Sequence, residues 1–99
     1  MAVANVQLSA DAKEDLAAFR RDKRALTRIR RALTNLEDEA PNLDIQTLTG
    51  RAPWKRLRAG DWRILFRPFT PAEIEHYGGG YLVARIVNRR DLERAIRTL

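Results

Sequence analysis

Two helical repeats of apolar positions occupy the first part of the chain, and alternating stretches follow them. Ala12, Leu16 and Phe19 recur at spacings of four and three behind Ser9, a good helix N-cap. Ala25, Ile29, Ala32, Leu33 and Leu36 repeat behind Asp22 until Pro41 ends the pattern. Val3 to Leu8 precedes them as a short strand. An apolar stripe must be buried, so the two helices form a hairpin that packs on a sheet supplied elsewhere in the chain. Pro41 to Pro53, with Asn42 and Gly50, reads as an ordered connector pinned to the core by Leu43, Ile45 and Leu48.

The second half reads as strands. Trp54 to Arg58 is strand-like, Ala59-Gly60-Asp61 turns the chain, and Trp62, Ile64 and Phe66 alternate with Arg63, Leu65 and Arg67. Pro68 lacks the ladder donor and should either end the regular part of this strand or sit on an unpaired edge. Thr70 to Gly80, with Pro71 and three glycines, reads as a loop. Tyr81 to Val87 is apolar on both faces apart from Arg85, as in a strand covered by helices on one side and by something else, such as a partner, on the other. Asp91 to Thr98 is a short helix with Leu92, Ala95, Ile96 and Leu99 on its apolar side. The order β-α-α-β-β-β-α predicts an α+β fold: a helix hairpin on a small, mainly antiparallel four-stranded sheet, as one domain over residues 1–99.

Composition narrows the chemistry. A chain of 99 residues buries one modest core and leaves little room for a large cofactor, so no cofactor is expected. It has no cysteine and a single histidine, which argues against a zinc site. No signal-peptide pattern or membrane-spanning stretch is present, and a cytoplasmic location is expected. Nineteen basic residues against thirteen acidic ones make a polyanion the leading partner class.

The basic excess is concentrated. Residues 37–44 hold four acidic side chains and no basic one, whereas Arg51, Lys55, Arg56, Arg58, Arg63 and Arg67 face only Asp61 between positions 51 and 67. Strand alternation sends Trp54, Arg56 and Arg58 to one face and Lys55 and Leu57 to the other. With Arg63 and Arg67 on the first face, several guanidinium groups converge, and Arg85, Arg89 and Arg90 extend the surface. Like charges so close repel, and a bound phosphate or acidic segment would relieve them. The alternative is a set of solvated strand residues, or ion pairs with Asp61, Asp91 or Glu93. Arg24, Arg28 and Arg31 read as a solvated helix face, Trp62 as core and His76 as surface. There is no nucleophilic triad, no phosphate-binding glycine loop and no carboxylate pair on a shared face.

Leu8-Ser9-Ala10-Asp11-Ala12-Lys13-Glu14-Asp15-Leu16, Leu48-Thr49-Gly50, the stretch from Arg56 to Phe66 and Val87-Asn88-Arg89-Arg90-Asp91-Leu92 together resemble the RelE/ParE superfamily of bacterial toxin-antitoxin toxins. The likeness covers nearly the whole chain and implies the element order derived above. RelE-like members cut messenger RNA in the ribosomal A site, ParE-like members poison DNA gyrase, and a cognate antitoxin neutralises both. The resemblance does not choose between these activities; the strand-face arginines and the hairpin match make the first expectation an mRNA endonuclease that, as in the RNA-cutting branch, assists attack on the phosphodiester by the neighbouring 2′-hydroxyl. A gyrase inhibitor and a non-catalytic antitoxin-binding module are the alternatives.

Matched by position, Arg56, Arg58, Arg63 and Arg89 occupy the family's catalytic basic sites, and Trp54, Lys55, Arg67, Arg85 and Arg90 are candidates for further RNA contact. Partners implied are an acidic antitoxin in a hetero-oligomer, and the ribosome with its message. The sequence departs from the family at two points. Lysines that can accept a proton there are arginines here, and guanidinium is a poor base. The tyrosine or histidine after the terminal arginine motif is absent, with Glu93 or Ile96 near its place; Glu93 reads either as a base or as a helix-surface residue.

Overall fold

The computed structural model describes residues 4–99; Val3, the expected start of the first strand, lies outside them. The elements are β1 (Asn5–Leu8), α1 (Ala10–Ala18), α2 (Lys23–Glu37), β2 (Ile45–Thr47), β3 (Lys55–Ala59), β4 (Trp62–Pro68), α3 (Pro71–Tyr77), β5 (Gly80–Asn88) and, after a 3-10 turn at Arg89–Asp91, α4 (Leu92–Ile96). Both expected caps form. The Ser9 hydroxyl accepts from the Ala12 N–H and the Asp22 carboxylate from the Ala25 N–H, each at 3.0 Å. Ser9 also donates to the Ala84 carbonyl at 2.8 Å, which ties the start of α1 to β5.

The fold is α+β, with the helix hairpin packed on one sheet of strand order β1-β5-β4-β3-β2. β1 runs parallel to β5 and all other neighbours are antiparallel. The sheet has five strands where four were expected. The fifth, β2, comes from the connector, and its three residues are all exposed, so neither alternation nor an apolar run betrays it. Ile45, expected to pin that segment, is 37% exposed, whereas Leu48 is buried.

A second difference lies between β4 and β5, where the expected loop forms α3. The Thr70 hydroxyl accepts from the Glu73 N–H while the Glu73 carboxylate accepts from the Thr70 N–H, Pro71 opens the helix, and Gly78 at φ +81° closes it. His76 therefore rides on a helix, exposed.

Both sheet faces are covered. On one, Leu57, Ile64, Phe66, Val83 and Ile86 pack against Ala12, Ala25, Ile29, Ala32 and Leu36 of the hairpin. Trp62 joins this core, with its ring 4.4 Å from that of Phe19. On the other face Leu48, Leu65, Val87 and Ala95 form a second cluster, lined by Trp54, Leu92, Ile96 and Leu99. The second cover of β5 is thus the chain's own C-terminal helix. Full burial of side chains such as Ile64 and Leu65 stabilises the fold by about 2 kcal/mol each.

Two glycines are required by geometry. Gly60 turns the β3–β4 hairpin at φ +63°, where a Cβ would also come within 2.5 Å of the Arg28 guanidinium. Gly80 lies opposite Asn5, and a Cβ there would overlap the Asn5 backbone. Among the described residues no helix is long and apolar enough to cross a membrane.

Gly80→Ala should push β1 off the sheet and destabilise the protein by about 2 kcal/mol or more. Equilibrium denaturant unfolding measures this, and an unchanged midpoint would show that β1 pairing contributes nothing.

Candidate nucleic-acid interface

Residues directly opposite each other in neighbouring strands share a face. Arg56 lies opposite Leu65, Arg58 opposite Arg63, and Arg63 opposite Val87. Since Leu65 and Val87 belong to the α4-side cluster, the three arginines stand on that same face. Arg63 reaches back over the hairpin turn and donates to the Gly60 and Trp62 carbonyls at 2.7 and 2.9 Å. The Arg89 N–H donates to the Asp61 carbonyl at 2.8 Å, which brings the 3-10 turn beside the same hairpin. Burial lowers the pKa of Arg63, and the charges of Arg58, Arg56 and Arg89 lower it further. Four guanidinium groups from three elements therefore share one end of the sheet.

Little inside the molecule offsets this charge. Arg58 approaches Asp44 at 3.9 Å and Arg89 approaches Asp61 at 3.7 Å, with all four side chains more than half exposed. Exposed pairs of this kind contribute about 0 to 1 kcal/mol. Among the described residues Arg56 holds only a neutral partner, donating to the Gln46 side-chain carbonyl at 2.6 Å, and Arg63 holds only carbonyls. Like charges directly across a strand pair are destabilising. The Arg58–Arg63 pair is thus a cost that an anion would remove.

Other residues expected on this surface are placed differently. Arg67 makes two hydrogen bonds to the Glu73 carboxylate, at 2.7 and 3.2 Å, and lies 5.6 Å over the Trp54 ring. The Trp54 face is therefore stacked internally. Arg85 makes two bonds to Asp15, at 2.8 and 3.1 Å, and a third to Thr98; the Asp15 hydrogen bonds raise its pKa. Both arginines are neutralised by their own carboxylates, so they tie elements together instead of extending an open cationic surface. Lys55 lies opposite Phe66, on the helix-hairpin face, beside Glu39 and Tyr81. Arg90 is exposed on the 3-10 turn, where its backbone N–H donates to the Asn88 side chain. Arg24, Arg28 and Arg31 line a groove of about 690 Å³ on the hairpin side of the sheet, which Arg58 reaches from the strand edge.

Asp15, Glu73 and Gln46 escaped the sequence reading. Nothing local marks Asp15, because its partner is 70 residues away. Glu73 had a signal, the Thr70-Pro71-Ala72-Glu73 helix start.

The same architecture occurs in solved toxin structures. A chain of the E. coli DinJ-YafQ complex superposes with a TM-score of 0.68 at 12% identity, over 90% of this chain and 97% of that one. For the RelB-RelE antitoxin-toxin complex from Methanococcus jannaschii the values are 0.65 and 15%, over 89% and 95%. For the YoeB dimer from Staphylococcus aureus they are 0.61 and 16%, over 85% and 94%. No curated protein sequence matches the chain significantly. The fold is that of the RelE/ParE superfamily of toxins. The sequence model described as the ParE toxin of the type II toxin-antitoxin system, parDE, matches residues 6–93, and the chain belongs to that family.

Two outcomes test this electrostatic layout. Arg58→Gln relieves the cross-strand repulsion and should stabilise the protein by about 0.5 kcal/mol in denaturant unfolding; destabilisation would mean that the cluster is internally compensated. Glu73 is held at a pKa of about 2, below the ordinary 4.5, first by the Arg67 hydrogen bonds and then by the Thr70 N–H. A carboxylate lowered in this way stabilises the folded state above pH 4.5, and that contribution is lost as the pH falls toward 2. Carboxyl NMR shifts of Glu73 should therefore titrate near 2, and Arg67→Met should move the midpoint toward 4.5.

Proposed function

We propose that this chain is a ribosome-dependent mRNA endonuclease that arrests translation in the cytoplasm and is held inactive by an acidic antitoxin. The observation that carries the reading is the convergence of Arg56, Arg58 and Arg89 on Arg63, offset only by the exposed carboxylates of Asp44 and Asp61. Attack of a 2′-hydroxyl on the adjacent phosphorus forms the new P–O bond and breaks the bond to the 5′-oxygen, the hydroxyl proton passing to water and water protonating the leaving 5′-oxygen, while negative charge builds on the phosphoryl oxygens. Fixed cations aimed at that charge lower the barrier more than they stabilise the bound message. Arg63 is anchored on two carbonyls of the hairpin turn. Arg56, Arg58 and Arg89 supply further positive charge around it. None of the four is a base, since guanidinium keeps its proton. Their work is electrostatic.

Family membership through the ParE model favours a second reading, inhibition of DNA gyrase, in which the same cationic face grips a protein or DNA surface. In either case the antitoxin relieves the repelling arginines by covering them with carboxylates in a toxin-antitoxin hetero-oligomer, as toxin and antitoxin assemble in the RelB-RelE complex. Loss of toxicity, leaving an antitoxin-binding module, is the remaining alternative.

Induced expression should cut messages at positions in register with codons and stop protein synthesis. Arg63→Ala should slow cleavage about 100- to 1,000-fold while circular dichroism and antitoxin copurification stay unchanged. Intact messages with continuing translation, together with inhibition of supercoiling by purified gyrase, would overturn the nuclease reading in favour of the second.

A further inference from the structure

The arginine face continues into a groove of about 490 Å³ between β2, the segment after it and α4. That volume suits a nucleotide-sized group. Part of the lining is apolar, formed by Leu48, Leu92 and Ile96 of the second core cluster. The rest is polar and includes Gln46, Thr49, Arg56 and Glu93, with Arg51 and Arg97 also at the groove. Arg56 joins the groove to the cluster around Arg63. Its Nη2 donates to Gln46 Oε1 at 2.6 Å, and its Nη1 is buried without a hydrogen-bond partner. A buried N–H left unpaired is costly, and an acceptor supplied by a ligand would remove the cost. Because Gln46 Oε1 is occupied, its Nε2 remains as a donor.

Glu93 is the one carboxylate in this lining, and among the described residues it makes no ion pair. A carboxylate presents two acceptors side by side and no donor. Guanine alone among the four bases offers two adjacent donors, N1–H and the 2-amino group, on its pairing edge. Adenine and cytosine set a ring-nitrogen acceptor beside the amino group, which a carboxylate repels. Uracil has one N–H between two carbonyls. A phosphate would have to sit beside Glu93 and against Leu92 and Ile96, whereas the flat face of a base is suited to that apolar wall.

We infer that this groove is a base-reading subsite for a guanine next to the phosphate held by the arginine cluster, with Glu93 as its specificity-determining residue. The inference rests on the RNA-cleaving reading and adds the base that it selects.

The test titrates isotope-labelled full-length protein with GMP, AMP, CMP and UMP separately by NMR. GMP should shift the Gln46 side-chain amide and the Thr49 backbone, and should bind at least about fivefold more tightly than AMP. Glu93→Gln should bring GMP and AMP within about twofold of each other, while Glu75→Gln on the exposed surface of α3 keeps the wild-type preference. Equal binding of GMP and AMP by the wild type, or shifts that spare Gln46 and Thr49, would overturn the assignment. Mapping of cut sites separates the two levels. Cutting whose base preference survives Glu93→Gln refutes the groove alone, whereas selective GMP binding without any cutting upholds the groove and refutes the nuclease.

Discussion

The register of β4 between β3 and β5 is the constraint on which the remaining structure depends. Ile64 and Phe66 must enter the hairpin-side core, which sends Arg63 and Leu65 to the opposite face. A slip of one residue would turn the Arg63 guanidinium into the hairpin-side core and take Ile64 and Phe66, both fully buried there, out of it. The bulge between Leu65 and Phe66 serves the same arrangement. It skips Ala84, so that Val83 lies opposite Phe66 and Arg85 opposite Leu65.

The same residue type meets different fates according to what the fold brings near it. Arg85 and Arg67 find carboxylates that other hydrogen bonds already orient: Asp15 also accepts from the Ile86 N–H, and Glu73 from the Thr70 N–H. Bidentate pairing with such fixed acceptors makes these two arginines into struts, one joining α1, β5 and the C-terminus, the other joining β4 to α3. The arginines around the β3–β4 turn meet only a neutral amide, carbonyls and two distant, exposed acids. Charge that the fold leaves unanswered is available for a ligand, and charge that it answers is not.

The second apolar cluster has a similar double consequence. By packing Leu92, Ala95 and Ile96 on Leu65 and Val87, α4 covers the middle of the second sheet face. It also sets a carboxylate, Glu93, in the same groove as Arg56. A short helix at the end of the chain thus both closes the core and shapes the surface beside the charged cluster.

Much of this was legible along the chain. Helix periods with Ser9 and Asp22 as caps, the alternation of β4 and the excess of arginine over acid between positions 51 and 67 are local properties, and local sterics and burial determine them. The fifth strand was not legible, because Ile45–Thr47 is exposed and becomes a strand only through hydrogen bonds from β3. Nor was α3, where the helix-start signal at Thr70 competed with the proline and glycines around it. Sequence alone determined that the hairpin strands carry alternating apolar and basic side chains, since a strand's period of two is a property of its own backbone. Only the tertiary structure decided which arginines are held by a close carboxylate, because Asp15 reaches Arg85 across 70 residues of chain, a separation over which no local rule acts.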